Sequence, residues 1–270
     1  MPFYDAHDAA IYYDECGAGR PLILLHGYAL NSLMWELQKP VFSKSHKVIT
    51  VDLRGFGDSS CSQQWSGSIM ADDVMGLVAS LDLHDITIIG FSMSGPVALR
   101  VACHMPESVT KLILVSSILP SSGRPKAKSE ERLQQRELDV LKLSGVEGWA
   151  KEIGLFDATF IGNMFRRNPD TKSLWQRMID RHDAHRILCM LNARLNTESP
   201  VDWRSRLPQI TQPTLVVAGA QDDRFLDASR HLARDIPNSR LEIISGASHM
   251  VNLEDAERFD GAVMGFLDAK

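Results

Sequence analysis

Apolar positions in this chain collect into short unbroken runs separated by amphipathic stretches. The runs at Leu22–Leu25, Val48–Asp52, Ile86–Ile89, Leu112–Val115, Leu215–Ala218 and Leu241–Ile244 are continuous, not alternating. Strands covered on both faces of a parallel sheet read this way. Between them, Met70, Val74, Leu77, Val78 and Leu81 mark one apolar helix face, and Val97, Ala98, Val101 and Ala102 another. The alternation predicts a doubly wound α/β sheet. Near the start, Phe3–His7 and Ile11–Asp14 predict a leading hairpin, after which Gly17-Ala18-Gly19 turns the chain inward.

From about Ser121 to Gln212 the strand rhythm stops and the pattern becomes helical, most clearly over Ser129–Leu143 and Asp170–Leu195. In the second of these, Leu174, Met178, His185, Leu188, Asn192 and Leu195 recur at helical spacing. The expected organisation is a core made of residues 1–120 and 213–270, with 121–212 inserted as a helical lid between the sixth and seventh main strands. Charge separates the two parts. The insert holds 16 lysines and arginines against 12 acids, a net +4, and the remainder 13 against 22, a net −9. Solvated helix faces are the plain reading; a lid that favours an anionic or electron-rich substrate is the sharper one.

Composition narrows the class of protein. At 270 residues, 44% hydrophobic and 23% charged, the chain has the make-up of an ordinary globular protein with a sizeable core. A formal net charge of −5 without a polybasic tract argues against nucleic acid and anionic membrane as partners. The first residues lack the basic start and apolar stretch of a secretory signal, and no segment approaches the roughly 18 apolar residues of a membrane span. Cys16, Cys61, Cys103 and Cys189 show no disulfide or zinc spacing, so free thiols in a reducing compartment, the cytoplasm, are expected. No H-E-x-x-H, P-loop or paired Cys/His set is present, and neither a metal nor an organic cofactor is expected.

The chemistry centres on Gly90-Phe91-Ser92-Met93-Ser94-Gly95, where a buried strand breaks into a helix. A serine hydroxyl becomes a nucleophile when such a turn exposes it beside a base and backbone N–H donors. Ser94 is the rival, but in its frame the flanks are Ser92 and Pro96, neither of which relieves the turn as Gly90 does for Ser92. Pro96 suits the first turn of the following helix. Among nine histidines, His249 follows the last strand-like run through the loop Ser245-Gly246-Ala247-Ser248, on the same sheet rim as Ser92. A carboxylate to orient it is offered by Asp222 at the end of Leu215–Gly219, with Asp223 as runner-up. The oxyanion donors expected are the backbone N–H groups of Met93 and Tyr28, while His26 reads as a structural hydrogen-bonding group. Phe91 and the lid aromatics Trp149, Phe156, Phe160 and Trp175 are candidate substrate-binding residues. Aromatics at helical spacing also serve simply to pack a lid on a core.

His26-Gly27, the run Asp52-Leu53-Arg54-Gly55-Phe56-Gly57-Asp58-Ser59, the Ser92 turn, Gly219 to Asp222 and Gly246-Ala247-Ser248-His249 together resemble the α/β-hydrolase superfamily, in its order of nucleophile, acid and histidine. The resemblance covers about 1–120 and 210–270. It implies an eight-stranded mostly parallel sheet flanked by helices, a Ser92–His249–Asp222 triad and a helical lid over the pocket. Length and the Asp-x-Arg-Gly-x-Gly loop look most like small esterases, enol-lactonases and cofactor-free haloperoxidases. The expected activity is hydrolysis of an ester, thioester or lactone of a small-molecule substrate through an acyl-enzyme. Carbon–carbon or amide bond hydrolysis on the same triad, and a non-catalytic receptor of this fold, are the alternatives.

Overall fold

A computed structural model describes residues 2–62, 64–117, 128–156, 158–193 and 203–269. Eight strands form one sheet: β1 (Phe3–Ala6), β2 (Ala9–Cys16), β3 (Arg20–Leu25), β4 (His46–Val51), β5 (Ile86–Phe91), β6 (Val109–Val115), β7 (Thr214–Gly219) and β8 (Ser239–Ile244). Their order is β1-β2-β4-β3-β5-β6-β7-β8. The leading hairpin is antiparallel and every pair from β4 to β8 is parallel. Of the six apolar runs read from the sequence, five fall inside these strands and the sixth, Val48–Asp52, ends one residue beyond β4.

Helices α1 (Lys39–Phe42), α2 (Gly67–Ser80) and α3 (Gly95–His104) lie in the first half, and α9 (Leu226–Asp235), α10 (Val251–Glu254) and α11 (Ala256–Leu267) follow β7. Between β6 and β7 come α4 (Lys128–Phe156), α5 (Ala158–Arg167), α6 (Thr171–Asp180), α7 (Ala184–Ala193) and α8 (Trp203–Arg206). Apolar strand residues are continuous because both sheet faces are covered. Ile23, Leu25, Ile49 and Ile88 pack with Val74 and Leu77 of α2 and Val97 and Val101 of α3. Leu22, Leu24, Val48 and Ile113 pack on the opposite face with Trp35, Phe42 and Phe259 and Val263 of α11. The exception is β8, an edge strand whose Glu242 and Ile243 are exposed, so its apolar run is only half used.

The helical stretch departs from its expected form in one place and adds a break beyond an expected helix in another. Asp170–Leu195 is not one helix: α6 ends at Asp180 and Asp183 starts α7 afresh, its carboxylate accepting the Arg186 N–H (2.9 Å). The turn between them carries His182. The helix expected over Ser129–Leu143 is present as the first arm of α4, and just beyond it the chain breaks at Gly145 (φ 63°, ψ −165°) and a second helical arm returns. That conformation is nearly exclusive to glycine, and the reversal folds the two arms of α4 side by side.

Candidate active site

The β5–α3 turn holds Ser92 at φ 51°, a left-handed conformation that non-glycine residues rarely adopt. The strain lifts its hydroxyl out of the strand, into a short 3-10 turn that leads to α3. Gly95 permits the close approach of α3 to the end of β6, since a Cβ there would lie 1.8 Å from Ser117 Oγ. The tight contact therefore falls one residue beyond the usual last glycine. Ser94 fits because its buried hydroxyl is bonded: it accepts the Phe91 N–H (2.9 Å) and faces the Leu25 and Phe91 carbonyls (3.0 Å each).

Three strand ends bring the chemistry together. Asp222 follows β7, His249 follows β8, and Ser92 follows β5, all at the carboxyl rim. His249 Nδ1 lies 2.9 Å from Asp222 Oδ2, and Nε2 lies 3.0 Å from Ser92 Oγ. A carboxylate only accepts, so the proton sits on Nδ1 and Nε2 receives the serine hydroxyl. Asp222 is fully buried and also accepts the Phe225 N–H (3.3 Å), while the runner-up Asp223 is exposed. The imidazole packs between the rings of Phe225 (4.6 Å) and Phe91 (5.1 Å). Its loop is gripped by buried Glu254, which accepts the Ser248 N–H (2.8 Å), the Ser248 hydroxyl (2.6 Å) and the Met250 N–H (3.1 Å). His26 has the structural role expected of it, accepting the Leu53 N–H (2.9 Å) and donating to Gly27 O (2.7 Å).

A cavity of about 310 Å³ opens over Ser92 and His249. Tyr28 and Met93, the expected oxyanion donors, are both on its wall, as are Phe91 and Trp175. Trp149 is not: it is fully buried behind the wall, where its indole N–H donates to Glu137 Oε2 (3.2 Å). It sits there because the break at Gly145 turns this arm of α4 back on the first. Phe156 and Phe160 have side chains outside the described residues. Sequence reasoning missed Trp65, Glu137, Glu152, Arg224 and Phe225, which also line the cavity. Only Arg224 and Phe225 carried a signal, their closeness to Asp222. Among the described residues the insert contributes Glu137 and Glu152, not Lys or Arg, as charged groups on this wall, which favours solvated faces over a pocket for anions; Arg224 belongs to the core. Among the described residues no group of three or more His, Cys, Asp or Glu is arranged to hold a metal ion, and no helix is long and apolar enough to cross a membrane.

An eight-stranded, mostly parallel sheet with serine, acid and histidine, in that chain order, on loops of its carboxyl rim is the architecture of the alpha/beta hydrolase fold. The family model of that fold matches residues 20–256, and the chain belongs to this family. It is 29% identical over 284 residues to the non-heme chloroperoxidase CPO-A1 of Kitasatospora aureofaciens, covering 99% of this chain and 100% of that one. Among solved structures, the esterase EaEST of Exiguobacterium antarcticum is 26% identical with a TM-score of 0.79, covering 97% of this chain and 96% of its own. The enol-lactonase of Burkholderia xenovorans LB400 shares the fold with a TM-score of 0.81 at 22% identity, covering 99% of this chain and 100% of its own.

Proposed function

We propose that this alpha/beta hydrolase is a serine hydrolase that cleaves a carboxylic ester, thioester or lactone of a small molecule. The observation that carries the reading is the unbroken hydrogen-bond chain from Ser92 through His249 to Asp222, opening into the cavity. Ser92 Oγ attacks the acyl carbon as its proton passes to His249 Nε2. Buried Asp222 holds the Nδ1 tautomer and offsets the charge of the imidazolium. The developing oxyanion is taken by the N–H groups of Met93 and Tyr28. His249 then protonates the leaving oxygen or sulfur, and a water activated by the same imidazole releases the acid and restores Ser92.

The mostly apolar wall, with Leu30, Met93, Ile153, Ile161 and Trp175, suits a small acyl group, and the volume lies at the low end for ligand pockets. Residues 121–212 serve as the lid, since Leu133, Glu137, Glu152, Ile153, Ile161 and Trp175 from this segment close one side of the cavity. The likeness to the esterase of Exiguobacterium antarcticum supports an acyl-transfer chemistry. Ser92→Ala is expected to abolish ester turnover and labelling by a fluorophosphonate while the melting temperature stays within a few degrees. Turnover retained by that variant overturns the reading.

A further inference from the structure

The first arm of α4 reaches the cavity with Leu133 and with one charged side chain, Glu137. Glu137 is 3% exposed, lines the cavity, and accepts a short hydrogen bond from the Tyr28 phenol. The same carboxylate oxygen accepts the Trp149 indole N–H (3.2 Å) from the second arm. In an unbroken helix these two residues, twelve apart, would be separated by about 18 Å. The arms are also bridged by Arg136, whose Nε lies 2.6 Å from Glu152 Oε1.

Tyr28 is a lining residue on the loop that follows β3. Its ring packs edge-on against Phe56 (5.7 Å) and Trp149 (6.4 Å), and its phenol is held by Glu137. The next residue, Ala29, sits at φ 60°, a conformation costly for alanine, and its carbonyl accepts His182 Nε2–H (3.1 Å). Two consecutive residues of this loop are thus tied to side chains of the helical insert. A strained loop keeps its shape only when its surroundings hold it.

Resting on the serine-hydrolase reading above, we propose that Glu137 is a positioning residue. Through the Tyr28 phenol it fixes the backbone N–H of Tyr28 at the place where the oxyanion forms, so that docking of the α4 hairpin completes the oxyanion site. Its effect belongs to the transition state, because the charge that the N–H meets is absent from the bound ester.

The test uses the full chain, with p-nitrophenyl butyrate as substrate and butylboronic acid as a tetrahedral-adduct inhibitor. Glu137→Ala and Tyr28→Phe are expected to lower kcat roughly tenfold, less than loss of an oxyanion donor outright, with KM within about twofold. The inhibition constant of the boronic acid should rise by the factor lost in kcat/KM. Glu137→Gln keeps an acceptor for both the phenol and the indole and should stay within about threefold of the parent kcat. The double variant Tyr28→Phe/Glu137→Ala should be no worse than the poorer single one. Tyr28→Phe removes one hydroxyl only and decides the matter if Glu137→Ala does not fold. Parent-like kcat in Tyr28→Phe, or a change confined to KM, overturns the proposal while an inactive Ser92→Ala leaves the serine reading standing. Turnover by Ser92→Ala instead brings down the serine reading and this inference with it.

Discussion

Ser94 shows how one residue can break a pattern without breaking the turn. The usual elbow has glycine there because helix and strand crowd together, yet in this chain the crowding falls on Gly95 and the extra hydroxyl is absorbed by backbone partners. Ser94→Ala removes the acceptor of the Phe91 N–H and the donor facing Leu25 O in a fully buried place. It is expected to lower stability by about 1–3 kcal/mol, read as a lower urea midpoint at unchanged slope. Glu254 acts at the same scale on the histidine side. A carboxylate six residues beyond Ser248 satisfies three loop donors, and this contact could not be distinguished in the sequence from an ordinary acidic residue at a helix start.

At the scale of elements, the strands were legible and the helical insert only partly so. A buried strand declares itself within six residues by its apolar run, which is why β3 to β7 were found where expected. The insert's helices share one apolar periodicity across their breaks, so Asp170–Leu195 read as a single helix although Asp183 restarts it. The break at Gly145 decides more than a boundary, because it sets Glu137 beside Trp149 and takes Trp149 off the cavity wall. No atom lies within 4 Å of a Cβ built at Gly145, so substitution there strains the backbone alone. Gly145→Ala is expected to cost about 1–3 kcal/mol and to lower the melting temperature and kcat/KM together.

Across the whole molecule, arginines of the positively charged insert meet acids and a carbonyl of the negatively charged core. Arg177 pairs with Glu36 (2.7 Å), Arg181 with Asp58 (2.6 Å) and Arg167 with Asp255 (3.1 Å), each joining the insert to the core. Arg186 donates to Gly57 O (2.8 Å) across the same boundary. Among the described residues these four arginines point to the core, and Glu137 and Glu152 face the cavity. His182 lies in the same contact zone, accepting the Gly57 N–H (3.2 Å), and burial drives its pKa from 6.5 down to about 4, with Asp52 and the Ala29 carbonyl opposing and Arg181 and His26 assisting. Between these values the unfolded chain binds a proton that the folded one does not. The contribution of neutral His182 is therefore full above pH 6.5 and drains away as pH falls toward 4. The stability advantage of the parent over His182→Gln should shrink by about 2 kcal/mol between pH 7 and pH 5, measured by urea unfolding.

What the sequence determined by itself was the sheet, the elbow at Ser92 and the strand ends that carry Asp222 and His249. Each is written in a window of a few residues, where β-branched runs, small turn residues and a polar group at a strand end follow one another. Only the tertiary structure decided what surrounds them. Tyr28 and Glu137 are 109 residues apart and Ser92 and His249 157, so their meeting depends on how the elements pack. For Ser92 and His249 the parallel sheet rim carried that information, because every strand end arrives on one side. For Glu137, Glu152 and Trp149 no such rule exists: a reversal at one glycine and the docking of an insert chose which side chains face the substrate.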